Sequence, residues 1–344
     1  MKIRSDTEKW LTAYDWLCRS RIRAGHNADI WDLRFHWPAE QEALFRQVAT
    51  GTYRLSPMRV VRNHRHNQSL AQWSARDALA LKWVALQITD RLPVQAACTH
   101  VKGHRGGRDS LAALEQAIRE GARFVYRTGI RGYYRHIQKA QLYHHLCRFV
   151  PEPALQSLLH QYLYYSVEDG GGIHTPLHGI SRGCALSPLV GASFLWFVDI
   201  AFSGRGDIRY VRYMDDFLFL SDPRWPVRRA QKQLYTFFDL TGFECHPDKT
   251  RHGKIAQGFD WLGVWFTDNG ATGIAPRSKE NHRLRRLRLI EQSRRAGLSE
   301  AEIRERVQVY DRRWMTWAES QLSSAGLNNP NLVGWFRAIP PERH

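Results

Sequence analysis

The chain has 344 residues, of which 50 are Lys or Arg and 33 are Asp or Glu, so its formal net charge is +17. This length suffices for two or three subdomains and argues against a single small binding module. The positive charge is interleaved with 13 Trp and 13 Tyr. Because aromatic rings can stack on bases, the composition favours a nucleic-acid partner over a merely basic, solvated surface.

The first fifty residues predict two amphipathic helices, WLTAYDWLCRSRIRA and EQEALFRQVATG, around a tryptophan-rich connection that contains Pro38. From Tyr53 the pattern changes. YRLSPMRVV predicts a strand, HRHNQS a basic turn and ARDALALKWVALQITDRL a helix. Residues 102–108 then predict a loop, and SLAALEQAI predicts the next helix.

Beyond residue 120, ARFVY predicts a strand and IRGYYRHIQKAQLYHHLCRFV one helix. GISRGCALS predicts a glycine-punctuated loop before a buried helix, PLVGASFLWFVDIAF. IRYVRYMDDFLFL predicts a β-hairpin with its turn at Met214–Asp216. AQKQLYTFFDLTGF predicts a helix, and GFDWLGVWF a pair of strands. Strands mixed with helices in this order predict an α+β fold with an antiparallel sheet and helices on one face.

The last seventy residues predict an arginine-rich helical segment. Ser299 and Glu302 have the spacing of a capping box, and one apolar stripe contains Ile303, Val307, Tyr310, Trp314 and Trp317. Ten arginines lie between Arg283 and Arg313. This excess of one sign favours phosphate contact over a solvated charged face. Candidate nucleic-acid contacts here are Arg285 and Arg288.

Cysteine usage and hydropathy bear on the compartment. The five cysteines are scattered and never spaced as CxxC: Cys18, Cys98, Cys147, Cys184 and Cys245. This predicts reduced thiols, without a zinc site or a disulfide framework. The N-terminus MKIRSDTEKW has no apolar core of a signal peptide, and no eighteen apolar residues run together. We therefore expect a soluble, cytoplasmic protein.

Two adjacent carboxylates, Asp215 and Asp216, interrupt an apolar and aromatic run. Burying them costs several kcal/mol unless a positive charge compensates. A hairpin tip would hold their oxygens at one spot, as a hard divalent cation requires. The pattern therefore predicts Mg²⁺ here, and an ordinary Asp-Asp turn is the alternative.

These carboxylates lie in a series of motifs that resembles the reverse transcriptases. YMDD resembles their palm hairpin, and GISRGCALSPL their QGxxxSP loop, with Gly183, Ser187 and Pro188 matching. IRGYYRHI resembles the first palm motif, while GFECHPDKT and GFDWLGVWF resemble the lysine-bearing segment and the primer grip. HVKGHRGGRDSLAAL is similar to the fingers segment of bacterial group II intron-like and diversity-generating enzymes. Ordered motifs over roughly two hundred residues make chance a poor explanation.

The resemblance implies a right-hand polymerase with an N-terminal helical extension (1–50), fingers and palm (51–275) and a helical, arginine-rich thumb (276–344). It also implies two Mg²⁺ ions, or Mn²⁺, at Asp215 and Asp216, with the Ile130 carbonyl as a neutral ligand. Lys249 resembles the lysine that protonates the departing pyrophosphate, with a surface lysine as the alternative.

Further residues are assigned to binding by the same resemblance. Tyr134 would lie under the sugar of the nucleotide, or else only pack against Tyr133. The other implied nucleotide contacts are Arg182, Gly183 and Arg65, although spacing does not separate Arg65 from Arg59 and Arg62. The implied nucleic-acid contacts are Lys102, Arg105, Arg108, Ser187 and Pro188.

The first palm motif departs from the family pattern. The motif begins with an aspartate, and counting back five positions from Tyr134 reaches Gly129. There are three explanations for this glycine. The position was altered to inactivate the enzyme, the protein is a natural inactive variant, or another carboxylate reaches the site from elsewhere in the chain. We favour a single substitution on an active framework, because the rest of the motif, YMDD and the Ser-Pro pair are preserved. We therefore predict that this chain polymerises poorly or not at all.

The function predicted first is RNA-directed DNA synthesis by a compact bacterial reverse transcriptase. Its partners would be an RNA template, a DNA or RNA primer or a structured non-coding RNA, dNTPs and an accessory protein, without a membrane. One alternative is a catalytically lapsed, maturase-like RNA-binding scaffold, which Gly129 favours and the intact YMDD opposes. The other is an untemplated or self-primed polymerase in antiviral defence.

Overall fold

The computed structural model describes residues 5–63, 68–101, 103 and 106–327, and for residues 62, 63, 68 and 69 it describes the backbone alone. Helices and strands are mixed along these residues, which confirms the predicted α+β class.

The helices are α1 (Asp6–Ser20), α2 (Asp29–Thr50), α3 (Ala75–Ile88), α4 (Gly106–Arg119), α5 (Tyr133–His136), α6 (Lys139–Cys147), α7 (Pro153–Leu163), α8 (Ser187–Phe194), α9 (Trp196–Ser203), α10 (Arg224–Thr241), α11 (Pro276–Arg295) and α12 (Glu300–Ser324). The strands are β1 (Met58–Asn63), β2 (Gln68–Gln72), β3 (Phe124–Gly129), β4 (Val167–Asp169), β5 (Gly172–His174), β6 (Arg209–Tyr213), β7 (Asp216–Ser221), β8 (Arg251–Lys254), β9 (Phe259–Trp261), β10 (Val264–Thr267) and β11 (Gly270–Ile274). Within the described residues, every helix is too short or too polar to span a membrane.

The chain divides into two compact units, each built from three separate stretches. The first unit contains the described residues of 1–95, 130–200 and 238–244, and the second those of 96–129, 201–237 and 245–344. The first unit holds a four-stranded sheet in the order β2-β1-β4-β5. Strand β1 pairs antiparallel with β2 and parallel with β4.

The predicted connection around Pro38 is wrong, because Pro38 lies inside helix α2. A proline in a helix interior removes one backbone hydrogen bond and costs about 3 kcal/mol. The flanking residues offset this cost by packing. The ring of Trp37 stacks on that of Tyr14 with centroids 3.7 Å apart, and Leu33 and Leu44 are buried on the same helix.

The single helix predicted over IRGYYRHIQKAQLYHHLCRFV is also wrong, since α5 and α6 are separated by an extended Ile137. Tertiary hydrogen bonds explain the break. The Ile137 carbonyl accepts from the Gly179 N–H at 2.8 Å, and the Tyr134 carbonyl accepts from the Ile180 N–H at 2.8 Å. Residues 179–186 form a loop, called the glycine loop below. Its N–H groups bond to carbonyls that would accept hydrogen bonds within a continuous helix. The helix predicted from Pro188 onwards is likewise two helices, α8 and α9.

A four-stranded antiparallel sheet lies at the centre of the second unit, in the order β6-β7-β3-β8. The predicted hairpin is confirmed as β6 and β7. Strand β3 is the inner neighbour of β7, and residues 125–129 of β3 are buried. Its last residue, Gly129, is paired with Asp216, the first residue of β7. The three-stranded sheet β11-β10-β9 completes the described strands of this unit.

An apolar core in the second unit includes residues from α4, both of its sheets and α12. Core side chains from these elements are Leu111, Leu114, Val125, Leu218, Trp261, Phe266, Ala318 and Leu322. The predicted capping box of Ser299 and Glu302 at the start of α12 is confirmed. Of the predicted stripe on this helix, Ile303 and Val307 are buried, whereas Trp317 is 36% exposed.

Candidate active site

The tip of the β6–β7 hairpin is a two-residue turn of Met214 and Asp215, closed by the paired residues Tyr213 and Asp216. Met214 has a φ of 55°, in the left-handed region that non-glycine residues rarely adopt. This conformation costs about 1 kcal/mol, so surrounding contacts must hold it.

Two side chains engage both backbone groups of Met214. Nδ1 of His100 accepts a hydrogen bond from the Met214 N–H at 2.9 Å, and Nη1 of Arg212 donates to the Met214 carbonyl at 2.8 Å. Arg212 is fully buried, and its backbone N–H and C=O bond to Ala97 and Thr99. Neither His100 nor Arg212 is among the sequence-predicted site residues, because the contact joins distant segments and leaves no local pattern.

The two hairpin carboxylates have a lysine beside them. Nζ of Lys249 lies 2.7 Å from Oδ1 of Asp216 and 3.9 Å from Oδ2 of Asp215. The side chains of Asp215, Asp216 and Lys249 are 26%, 19% and 25% exposed, so the group is largely removed from solvent. Burial and the neighbouring Asp216 carboxylate raise the pKa of Asp215, while the Lys249 ammonium opposes that rise.

Lys249 is positioned by a short 3₁₀ turn, Pro247–Lys249, that leads into β8. The His246 N–H before this turn donates to the Gly129 carbonyl at 2.7 Å. After the turn, the Thr250 hydroxyl donates to the His246 carbonyl at 2.9 Å and lies 2.8 Å from the Thr128 hydroxyl. These bonds fasten the lysine-bearing turn to the end of β3. They also engage the Thr128 hydroxyl.

Gly129 leaves the space through which the lysine reaches Asp216. A Cβ added at Gly129 would overlap Oδ1 of Asp216 and lie 3.1 Å from Cδ of Lys249. Gly129, Asp216 and Lys249 are therefore in direct contact, and the structure brings together the catalytic residues that the sequence predicts.

The ligand set is smaller than a two-metal site requires. Divalent cations in proteins are usually held by several oxygen ligands. Across the described ranges, no three His, Cys, Asp or Glu side chains are grouped so that they could hold a metal ion. The hairpin itself supplies two carboxylates, and one of them is bonded to an ammonium. The residues in place therefore do not fit the two Mg²⁺ ions expected from the sequence.

The candidate nucleotide-binding residues Tyr134, Arg182 and Gly183 lie in the first unit. The ring of Tyr134 is half-buried over Gly191 of α8, where an added Cβ would lie 2.9 Å from Tyr134 Cε1. Arg182 and Gly183 are exposed on the glycine loop. They line an open pocket of about 270 Å³ whose walls include Trp16 and Trp73.

Ser187, Pro188 and Ile130 belong to the same unit. Ser187 is buried, and its hydroxyl donates to the Ser181 carbonyl at 2.6 Å, so it supports the glycine loop. Pro188 is exposed in the first turn of α8. Ile130 follows β3 directly in the chain, and its side chain is buried.

Three candidate nucleic-acid contacts are exposed in the second unit. Arg108 lies in the first turn of α4, and Arg285 and Arg288 lie on α11. Neither Arg285 nor Arg288 has an ion pair with any residue that the structure describes. By contrast, four neighbouring arginines are paired with carboxylates: Arg283, Arg286, Arg294 and Arg295. The candidates Arg65, Lys102 and Arg105 lie outside the described residues.

Two comparisons with known proteins found similar proteins. A family model described as "Reverse transcriptase (RNA-dependent DNA polymerase)" matches residues 82–266, more than half of the 344 residues. Among solved structures, the chain is similar to apo telomerase from Candida tropicalis, with 9% sequence identity and a TM-score of 0.44. That match covers 57% of this chain and 40% of the telomerase chain. The comparison with curated proteins produced no match.

Proposed function

Because the chain belongs to the reverse transcriptase family, we propose that it is an RNA-directed DNA polymerase whose nucleotidyl transfer is impaired in this form. One observation carries the proposal. The acidic pair Asp215 and Asp216 is held at a hairpin tip, and Asp216 is paired with a glycine, Gly129, at the position where the resemblance expects a third carboxylate. The framework for polymerisation is retained, and one anionic ligand is missing.

In this proposal the hairpin carboxylates face the reacting end of the primer. By the family resemblance, Tyr134, Arg182 and Gly183 would contact the nucleotide. Lys249 serves as the proton donor to the departing pyrophosphate; its ammonium has three N–H groups, and Asp216 accepts from it at Oδ1.

We assign residues 1–50 to an N-terminal extension, 51–275 to fingers and palm, and 276–344 to the thumb. The proposed partners are an RNA template, a primer and dNTPs. The net charge of +17 supports this choice, because phosphate backbones attract such a surface. Exposed Arg285 and Arg288 support a thumb that contacts phosphates.

Primer extension tests the proposal with three proteins: the chain as it stands, Gly129→Asp and Gly129→Ala, each with Mg²⁺ or Mn²⁺. We expect Gly129→Asp to extend the primer about 100-fold faster, because it restores the missing charge at the reacting centre. Gly129→Ala is the matched control, since it adds a Cβ without a carboxylate. Equal extension by the glycine and aspartate forms would contradict the missing-ligand argument.

A second candidate function is an RNA-binding scaffold in which chemistry has lapsed. The observation that favours it is the ion pair between Lys249 and Asp216, which neutralises one hairpin carboxylate. A scaffold should bind RNA equally well in EDTA and in Mg²⁺. It should also gain no extension from Gly129→Asp, so the same proteins separate the two functions.

A further inference from the structure

We infer that Lys249 is a built-in counter-cation of the hairpin carboxylates and that the missing side chain of Gly129 is what admits it. The inference rests on the proposed function only in treating Asp215 and Asp216 as the family's acidic pair. The contacts that support it are independent of any activity.

The order of the strands sets the path of the Lys249 side chain. Strand β3 lies between β7 and β8 in the sheet. Lys249 lies just before β8, whereas Asp216 begins β7, on the opposite side of β3. The lysine therefore has to cross the end of the central strand, and it does so at Gly129, where its Cδ lies 3.1 Å from the position of a Cβ.

Gly129 matters for the space beside it and not for its backbone conformation. Gly129 is a strand residue outside the left-handed region, so its backbone conformation does not itself require glycine. The space beside it is instead filled by the ends of two side chains. A Cβ at this position would overlap Oδ1 of Asp216, the same oxygen that binds the Lys249 ammonium at 2.7 Å. Any other residue must displace either the carboxylate or the lysine.

The Lys249 ammonium competes with a divalent cation for the hairpin carboxylates. The ammonium binds one oxygen of Asp216, and it would repel a divalent cation held by the same pair of carboxylates. The lysine therefore weakens metal binding at the acidic pair, which also lacks the third carboxylate that the resemblance expects. Removing the ammonium should strengthen divalent-cation binding, and this gain can be measured without any polymerase activity.

Mn²⁺ titration followed by electron paramagnetic resonance, without nucleic acid, tests the inference. We compare the chain as it stands with Lys249→Met, which keeps an unbranched side chain across Gly129 and removes the charge. Lys254→Met is the control, because this exposed residue of β8 changes the net charge equally. We expect Lys249→Met to bind Mn²⁺ about tenfold more tightly than either other protein.

Equal Mn²⁺ binding by the unmodified chain and a folded Lys249→Met variant would overturn the inference, as would an equal gain in Lys254→Met. If circular dichroism shows that the methionine variant is unfolded, Lys249→Gln is titrated in its place, and the same two outcomes would overturn the inference. Primer–template binding is measured separately. Its absence in the unmodified chain would count against the proposed function and would leave the Mn²⁺ result unaffected.

Discussion

At the scale of single residues, one contact matters most: the Lys249 ammonium reaches Asp216 across Gly129. Two partly buried carboxylates need positive charge nearby, and the sequence pattern predicts a metal for this purpose. In the structure an ammonium lies 2.7 Å from Asp216 but 3.9 Å from Asp215. Asp215 is therefore the less well compensated of the two, and burial raises its pKa.

Asp215→Asn should stabilise the protein at neutral pH. A raised pKa in the folded state means that ionisation of Asp215 opposes folding once the pH exceeds the ordinary value for an aspartate. The variant should gain about 1 kcal/mol in the free energy of unfolding at pH 7, because a neutral amide has no charge to bury. The gain should shrink as the pH falls towards 4, because the carboxyl is then increasingly protonated in both states.

Urea denaturation at pH 7, 5.5 and 4 measures this dependence. The matched control is Asp268→Asn, at an exposed aspartate of the same unit. A loss of stability in Asp215→Asn at pH 7, or an equal effect in Asp268→Asn, contradicts the electrostatic account.

The hairpin turn shows how an element of structure depends on a distant segment. Strand β6 is flanked by residues 97–100, which bond to Arg212 and end with His100 beside the turn. Met214 keeps a left-handed φ because its N–H and C=O are both satisfied by side chains. The orientation of the adjacent Asp215 and Asp216 follows from that turn.

His100→Leu should lower the free energy of unfolding by about 2 kcal/mol, because the Met214 N–H loses its acceptor in a half-buried turn. His100→Asn places an amide oxygen near the position of Nδ1 and should lose less than half as much. Denaturation measures the stability, and amide hydrogen exchange at Met214 reports the turn itself.

Faster exchange at Met214 in the leucine variant, rescued in the asparagine variant, is the expected pattern. Unchanged exchange in both variants would show that His100 does not hold the turn.

At the scale of the whole molecule, the main property is the positive net charge, whose arginines and lysines occur along the whole sequence. The excess of 17 positive charges is distributed over many arginines, and some of these form ion pairs in the fold. Surface ion pairs contribute little to stability, yet they reduce the charge available to a partner. Arg285 and Arg288 have no ion pair among the residues with described positions, so they are the better candidates for phosphate contact on α11.

The double variant Arg285→Gln/Arg288→Gln should weaken nucleic-acid binding and reduce the slope of log K against log[salt] by about two, since each phosphate contact contributes about 0.9. Binding to a primer–template duplex is measured by fluorescence anisotropy at several KCl concentrations. The control is Arg294→Gln/Arg295→Gln, which removes two arginines that are ion-paired on the same helix. Equal slopes for the two double variants would remove α11 from the binding surface.

The sequence by itself determined the features that depend on near neighbours. Alternating residues and a turn predicted the β6–β7 hairpin, and the spacing of Ser299 and Glu302 predicted the start of α12. The order of the motifs predicted the family that the comparison then showed. These signals are local, because strand alternation, caps and turns are set by residues a few positions apart.

The tertiary structure decided what distant residues do to one another. Pro38 stays within a helix because its neighbours pack, and a helix breaks at Ile137 because the glycine loop takes its carbonyl. The charge facing Asp216 comes from Lys249, 33 positions away, and it arrives only because Gly129 leaves space. The spacing of these residues in the sequence does not predict this contact, because it forms only when β7, β3 and β8 are paired in the sheet.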